Sequence, residues 1–349
     1  MEEELQSKPV QEIAQSCIGE IPERFSYKDG FPQSKIDSVP YMDDSVIDFA
    51  LLSSSLSPEA DNEMCKLQSA LSQWGCFQAI NHGMESEFLD KIREVGKQFF
   101  GLPLEEKQKY SRDVNEWDGY GNDTVVSEHQ TLDWMDRLYL TVYPEDQRKL
   151  KYWPDKPHAF RTIIDEYTLK LKAMFDLVMK VMGRSLNLDE NCFLKEHGEV
   201  KMSARLNFYP PCPTPQSVLG LKPHADATAV TMLLQDKEVE GLQVLKDDQW
   251  FKAPIIPNPD ALFINLGDIL EIMSNGVLKS PVHRVVTNSE REKLSVVMFC
   301  YSDFDREVGP VAGLITEDRP QMYKRVHHYD NIFFENYQLG KRPLHAVRM

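Results

Sequence analysis

Apolar residues recur at helical spacing through much of the first half of the chain. Met64, Leu67, Leu71 and Trp74 mark one amphipathic helix, with Gly75 as its stop. Phe88, Leu89, Ile92, Val95 and Phe99 mark a second. Phe160, Ile164, Tyr167, Leu171, Phe175, Val178 and Met182 mark a long third. Two short strands are expected beside them, VIDF from Val46 and CFQAIN from Cys76, the latter ended by His82-Gly83. The first ~40 residues are polar and Pro-punctuated, and read as an arm with one short helix.

The pattern changes near Lys201. Short runs rich in Val, Leu, Ile and Phe follow, broken by turn residues: MSARLNFY, AVTMLLQ, GLQVL, WFKAP, ALFINLG, VHRVV and KLSVVMFCY. Lys246-Asp247-Asp248 suits a hairpin turn between two of them. Many short strands at this spacing predict a sandwich or barrel. The last ~40 residues return to helical and loop character. The expected organisation is one unit in four stretches: an arm (1–45), an α-rich region (46–200), a β core (201–305) and a helical end (306–349).

Charge and cysteine content narrow the function classes. A formal net charge of −16 argues against a nucleic-acid binder, which presents a basic face to phosphates. It gives no support for binding an anionic membrane. Cys17, Cys65, Cys76, Cys192, Cys212 and Cys300 are scattered, with no zinc or redox spacing. The amino terminus, MEEELQSKPV, is acidic where a secretory signal is basic. The expectation is a cytoplasmic monomer with free thiols and a small-molecule substrate.

Three groups of residues point to chemistry. His224 and Asp226, two apart, can project the same way from one strand or its end, and His283 lies in another expected strand. Two imidazoles and a carboxylate form the facial set typical of non-haem iron(II), with positions left open for a chelating co-substrate and O2. Taken alone, His-x-Asp is a weak signal that occurs by chance in many chains and more often marks a solvated surface loop. Arg205, Asn207 and Tyr209 alternate on one strand face, either at a solvent edge or lining a polar cavity. Lys293, Ser295, Val297, Phe299 and Tyr301 share one face of a later strand. A cation beside a hydroxyl there suits a buried carboxylate, or else an exposed strand start. His82 reads as structural, His327-His328 as a surface pair and Cys212 as packing. Trp117, Tyr120, Trp134 and Tyr139 are core aromatics or cavity walls.

Taken together, these motifs resemble the plant 2-oxoglutarate/iron(II)-dependent dioxygenase superfamily, in its specialised-metabolism branch of SRG-like and codeine O-demethylase-like type. Val46–Asp48, Trp74–Gly83, Phe99–Lys107 and Leu132–Trp134 match its amino-terminal region. NFYPPCPTP, GLKPHADATAVTMLLQ, VEGLQVLKDDQW, INLGDILEIMSNGVLKSPVHRVV and KLSVVMFC match the remainder in order. The resemblance implies a mixed α and β fold, a double-stranded β-helix (jelly roll) buttressed by helices of the amino-terminal half. It implies iron on His224, Asp226 and His283. Asn207, Tyr209, Lys293 and Ser295 would hold 2-oxoglutarate. Substrate contacts fall on Arg205, Phe299 and Tyr301, with Tyr139 from a preceding helical region. The implied activity is hydroxylation or oxidative O-demethylation of an alkaloid, phenolic or terpenoid, using O2, releasing succinate and CO2, with ascorbate as activator. The family carries Arg where this chain has Lys293, which keeps the charge and loses the planar fork. Arg291 lies on the same face by parity and is the other candidate. The alternatives are a non-catalytic binding protein that kept the fold, or an iron oxidase independent of 2-oxoglutarate.

Overall fold

The computed structural model describes residues 8–16, 21–27, 39–43, 45–53, 57–114, 116–123, 130–303, 305–338 and 341–349. Cys17 lies outside them. The strands are β1 (Val46–Asp48), β2 (Cys76–Ile80), β3 (Gly119–Gly121), β4 (Asp136–Tyr143), β5 (Lys201–Tyr209), β6 (Leu219–His224), β7 (Val230–Leu234), β8 (Leu242–Lys246), β9 (Gln249–Lys252), β10 (Leu262–Leu266), β11 (His283–Val286) and β12 (Lys293–Tyr301). A large sheet runs β1-β2-β10-β7-β12-β5-β4-β3, and a small one β6-β11-β8-β9.

Side-chain alternation decides what each face of the large sheet meets. Met202, Ala204, Leu206 and Phe208 of β5, with Leu294, Val296, Met298 and Cys300 of β12, pack into the helical layer. The long helix Phe160–Ser185 dominates that layer, burying Ile164, Tyr167, Leu171, Phe175, Val178 and Met182. Fully burying such a side chain contributes about 1.5–3 kcal/mol. The opposite face of the same strands carries Tyr209, Leu233 and Val297, which meet Leu221, Leu242, Val244 and Val285 of the small sheet. The two sheets therefore enclose a second, smaller core, and the chemistry-bearing residues lie within it.

Local signals set the element ends. The helix Pro58–Gln73 starts on Ser57, whose hydroxyl accepts from the Ala60 N–H at 3.2 Å. It stops at Gly75, with φ +66°, where a Cβ would also stand 2.3 Å from the Lys279 carbonyl oxygen. Asp247 and Asp248 both take positive φ, 49° and 59°, and make the two-residue turn joining β8 to β9.

The structure departs from the sequence reading in several places. The region around Tyr139 is not helical but the eight-residue strand β4, pairing with β5 on one side and β3 on the other. Phe49 begins a short helix rather than ending β1. The strand expected to carry His224 is β6, which ends on that residue and leaves Asp226 beyond it, whereas the helix Asp268–Met273 was not in the expected set of elements. His82 is structural: its Nε2 donates to the Asp260 carbonyl at 3.0 Å while its Nδ1 accepts from the Met84 N–H. His327 and His328 are exposed neighbours just before the helix Tyr329–Gln338. Cys212 is fully buried.

Candidate active site

His224 ends β6 and His283 begins β11, and the two are paired across the ladder with ring centroids 4.3 Å apart. Asp226 follows two residues beyond the strand end. Its Oδ1 lies 3.6 Å from His224 Nε2 and 3.7 Å from His283 Nε2. Each residue offers one ligand atom, and these atoms all lie within 4.8 Å of one another, the only such group of three His, Cys or acidic residues among the described residues.

Hydrogen bonds fix which nitrogens face inward. His224 Nδ1 donates to the Lys222 carbonyl at 2.8 Å, and His283 Nδ1 to the Pro281 carbonyl at 3.3 Å. Both Nε2 lone pairs are left toward Asp226. Burial, reinforced by the neighbouring His283, holds the His224 pKa well below the usual imidazole range, so the ring is neutral. Asp226 is 4% exposed and its Oδ2 has no hydrogen-bond partner. A buried carboxylate oxygen without a partner is costly unless a cation meets it. Two imidazoles and that carboxylate fit a divalent metal, and the N2O donor set suits iron(II).

A small cavity of about 40 Å³ opens beside this triad. Asn207, Tyr209, Lys293 and Ser295 all line it, because β5 and β12 pair Tyr209 with Lys293 and Asn207 with Ser295. Lys293 is 3% exposed, with Nζ 5.1 Å from the Tyr209 ring centroid. Burial pushes its pKa down to about 8, with Asp236 opposing the shift. Arg291 is elsewhere: its side chain is 52% exposed and ion-paired with Glu238.

A larger cavity of about 340 Å³ adjoins on the other side of His224 and Asp226. Tyr139, Arg205, Phe299 and Tyr301 all line it. The Tyr139 and Phe299 rings stack at 6.2 Å, and the Tyr139 and Tyr301 hydroxyls are 3.3 Å apart. Arg205 borders both cavities. It donates to Asn207 Oδ1 at 2.7 Å and meets Asp123 Oδ2 at 3.0 Å. The other oxygen of Asp123 takes the buried Arg137, at 2.7 Å.

Of the four aromatics left open by the sequence, Trp117 and Tyr139 reach the large cavity. Tyr120 packs against Phe99 and Phe100, and Trp134 is buried with its Nε1 donating to the Pro210 carbonyl. The expected helical end contains the helix Tyr329–Gln338, but sequence reasoning gave no cavity role to its Phe333, Phe334 and Tyr337, which also line that cavity. It also missed Asp123 and Arg137. Phe333 and Tyr337 are four apart, a helical spacing that marks a face without saying what the face covers.

Residues 201–302 match the family model of the 2OG-Fe(II) oxygenase superfamily. Residues 45–156 match that of the non-haem dioxygenase in morphine synthesis N-terminal region. Codeine O-demethylase of Papaver somniferum is 38% identical over 347 residues, 97% of this chain and 95% of that one. Oxoglutarate-dependent flavonoid 7-O-demethylase 1 of Ocimum basilicum is 39% identical over 318 residues, 91% and 84%. The crystal structure of JOX2 in complex with 2OG, Fe and JA superposes with a TM-score of 0.85 at 30% identity, covering 98% of both chains.

Proposed function

The chain belongs to the 2OG-Fe(II) oxygenase superfamily, and on that footing we propose that it hydroxylates or oxidatively O-demethylates a small plant specialised metabolite. The observation that carries the reading is the pair of cavities meeting at one wall. His224 and Asp226 border both, the small one polar at its far end and the large one aromatic.

His224, Asp226 and His283 would hold the metal. Iron(II) with 2-oxoglutarate and O2 supplies the oxidising power for a C–H bond, with succinate and CO2 as co-products. Lys293 and Ser295, with Tyr209 and Asn207 beside them, would receive the distal carboxylate of 2-oxoglutarate. Lys293 gives it a charge and Ser295 and Tyr209 give it hydroxyl donors. Tyr139, Phe299 and Tyr301 would hold the flat face of an aromatic substrate and keep water from the reacting carbon. Arg205, fixed by Asp123 and Asn207, would orient the substrate's polar edge. When the oxidised carbon is a methoxy carbon, the hemiacetal product separates into phenol and formaldehyde. The catalytic unit would be residues 201–305, carried by the α-rich 46–200.

Working in a reducing compartment is part of the same reading, supported by Cys65, Cys76, Cys192, Cys212 and Cys300, which are free thiols. Among the described residues no helix is long and apolar enough to cross a membrane. We read the working form as a monomer.

The test is incubation with iron(II), 2-oxoglutarate, ascorbate and a panel of methoxylated and unsubstituted aromatic metabolites, following succinate and formaldehyde. Substrate-dependent succinate release is expected. Oxidised product without succinate would indicate an oxidase independent of 2-oxoglutarate. Tight metabolite binding with no product across the panel would indicate a binding protein.

A further inference from the structure

Asp226 and His283 come from separate segments, and one short helix, Asp268–Met273, touches the backbone near both. At its start the Asp268 N–H donates to the Asp226 carbonyl at 2.8 Å, and the Ile269 N–H to the Thr228 carbonyl at 3.1 Å. Gly267 permits this approach, since a Cβ there would stand 2.0 Å from the Thr228 carbonyl oxygen. On its other side Glu271 Oε2 accepts from the Ser280 backbone N–H at 2.7 Å. Ser280 immediately precedes Pro281, whose carbonyl takes the His283 Nδ1 proton.

The carboxyl-terminal segment holds this helix from outside. Arg342 Nη2 sits 3.1 Å from Asp268 Oδ1 and donates to the Ser280 carbonyl at 2.8 Å. One guanidinium nitrogen thus spans the carboxylate at the Asp226 end and the peptide at the His283 end. Asp268 is 0% exposed, and its other oxygen accepts from the Tyr329 hydroxyl at 2.8 Å. Removing the cation would leave a buried carboxylate short of its charge partner, and the helix start would move to relieve it. That movement reaches Asp226 through one hydrogen bond and His283 through Ser280-Pro281.

We propose that Arg342 is a positioning residue of the metal centre, setting the separation of Asp226 and His283 from the carboxyl-terminal segment. The inference rests on the reading of His224, Asp226 and His283 as metal ligands. Hydrogen-bond partners directly behind metal ligands typically change metal affinity 10–100-fold when lost, and Arg342, one link further out, is expected at the low end of that range.

The experiment is anaerobic titration of the full apo chain with cobalt(II), read by calorimetry and by visible absorption, which reports ligand geometry. Arg342→Gln should raise the cobalt dissociation constant by roughly 10-fold or more and alter the absorption envelope. Arg342→Lys should recover part of the affinity. Met179→Ala, in the remote helical core, should lower Tm and leave cobalt binding unchanged. Wild-type affinity and spectrum in Arg342→Gln would overturn the proposal, and so would an equal affinity loss in Met179→Ala at matched Tm. Should Arg342→Gln fail to fold, Arg342→Lys and Tyr329→Phe decide: unchanged cobalt binding in both overturns it. His283→Ala is titrated alongside. Equal binding by it and the wild type would sink the metal assignment itself, and the proposal with it.

Discussion

Lys293 and Tyr209 face one another across the β5–β12 ladder, with the lysine Nζ 5.1 Å from the tyrosine ring. Lys293 is buried, and the carboxylate whose charge acts on it is Asp236, which only partly offsets its desolvation. An ammonium in that setting is poised for an incoming anion.

Lys293→Ala should therefore weaken 2-oxoglutarate binding by ~2–5 kcal/mol, the scale for truncating one partner of a buried charged pair. Arg291→Ala should leave it unchanged, since Arg291 sits outside against Glu238. Calorimetric titration of both variants settles the assignment. Normal binding by Lys293→Ala with loss in Arg291→Ala would reverse it.

The same lysine predicts a pH dependence. Its pKa without ligand is about 8. A bound carboxylate favours the charged form and raises it. Binding is then at full strength below about pH 8, and above it each complex must take up a proton. Affinity should fall by up to tenfold per pH unit, until pH reaches the raised value in the complex. Lys293→Arg should flatten the profile, because a guanidinium stays charged throughout. A wild-type profile as flat as that of the arginine variant would refute the lysine's role.

Replacing His224, Asp226 or His283 by Ala should abolish turnover while the chain stays folded. These side chains are ligand candidates rather than members of the helical core. Anaerobic iron titration with circular dichroism checks both halves. An unchanged iron affinity in His283→Ala would contradict the site.

Asp123 makes a stability prediction. Burial alone would raise its pKa, but Arg205 and Arg137 hold it well below the usual carboxylate range. A depressed pKa contributes stability above the ordinary carboxylate pKa, and that contribution is lost as pH falls toward the folded value. Asp123→Ala leaves two largely buried guanidinium groups without their shared partner. Breaking such a pair costs on the order of 3–5 kcal/mol. Denaturant unfolding at neutral pH should show it, and a loss below about 0.5 kcal/mol would mean solvent already screens the trio.

Parity and order made much of the site legible in advance. Strand alternation alone puts Arg205, Asn207 and Tyr209 on one face of β5 and Lys293, Ser295 and Phe299 on one face of β12. The pairing then brings the two rows side by side. Alternation was equally present in β4, where Leu138, Leu140 and Val142 point to the core and Tyr139 and Thr141 away. The segment lies between helical stretches of the chain, and that context masks the alternation. Other features had no local signal. Nothing in Phe333, Phe334 and Tyr337 says that their helix closes a cavity lined largely by residues more than a hundred positions earlier. Asp123 likewise gains its meaning from two arginines that only the fold brings to it.

Arg205 belongs to the walls of both cavities, so a ligand that shifts it from one side changes what a ligand on the other side meets. Such a shared residue is a physical link between the two occupancies, and any coupling carried through it is reciprocal. Whatever factor the metabolite applies to 2-oxoglutarate affinity, 2-oxoglutarate must apply to the metabolite. A site built this way can hold its oxidant loosely while empty and commit to it once there is something to oxidise.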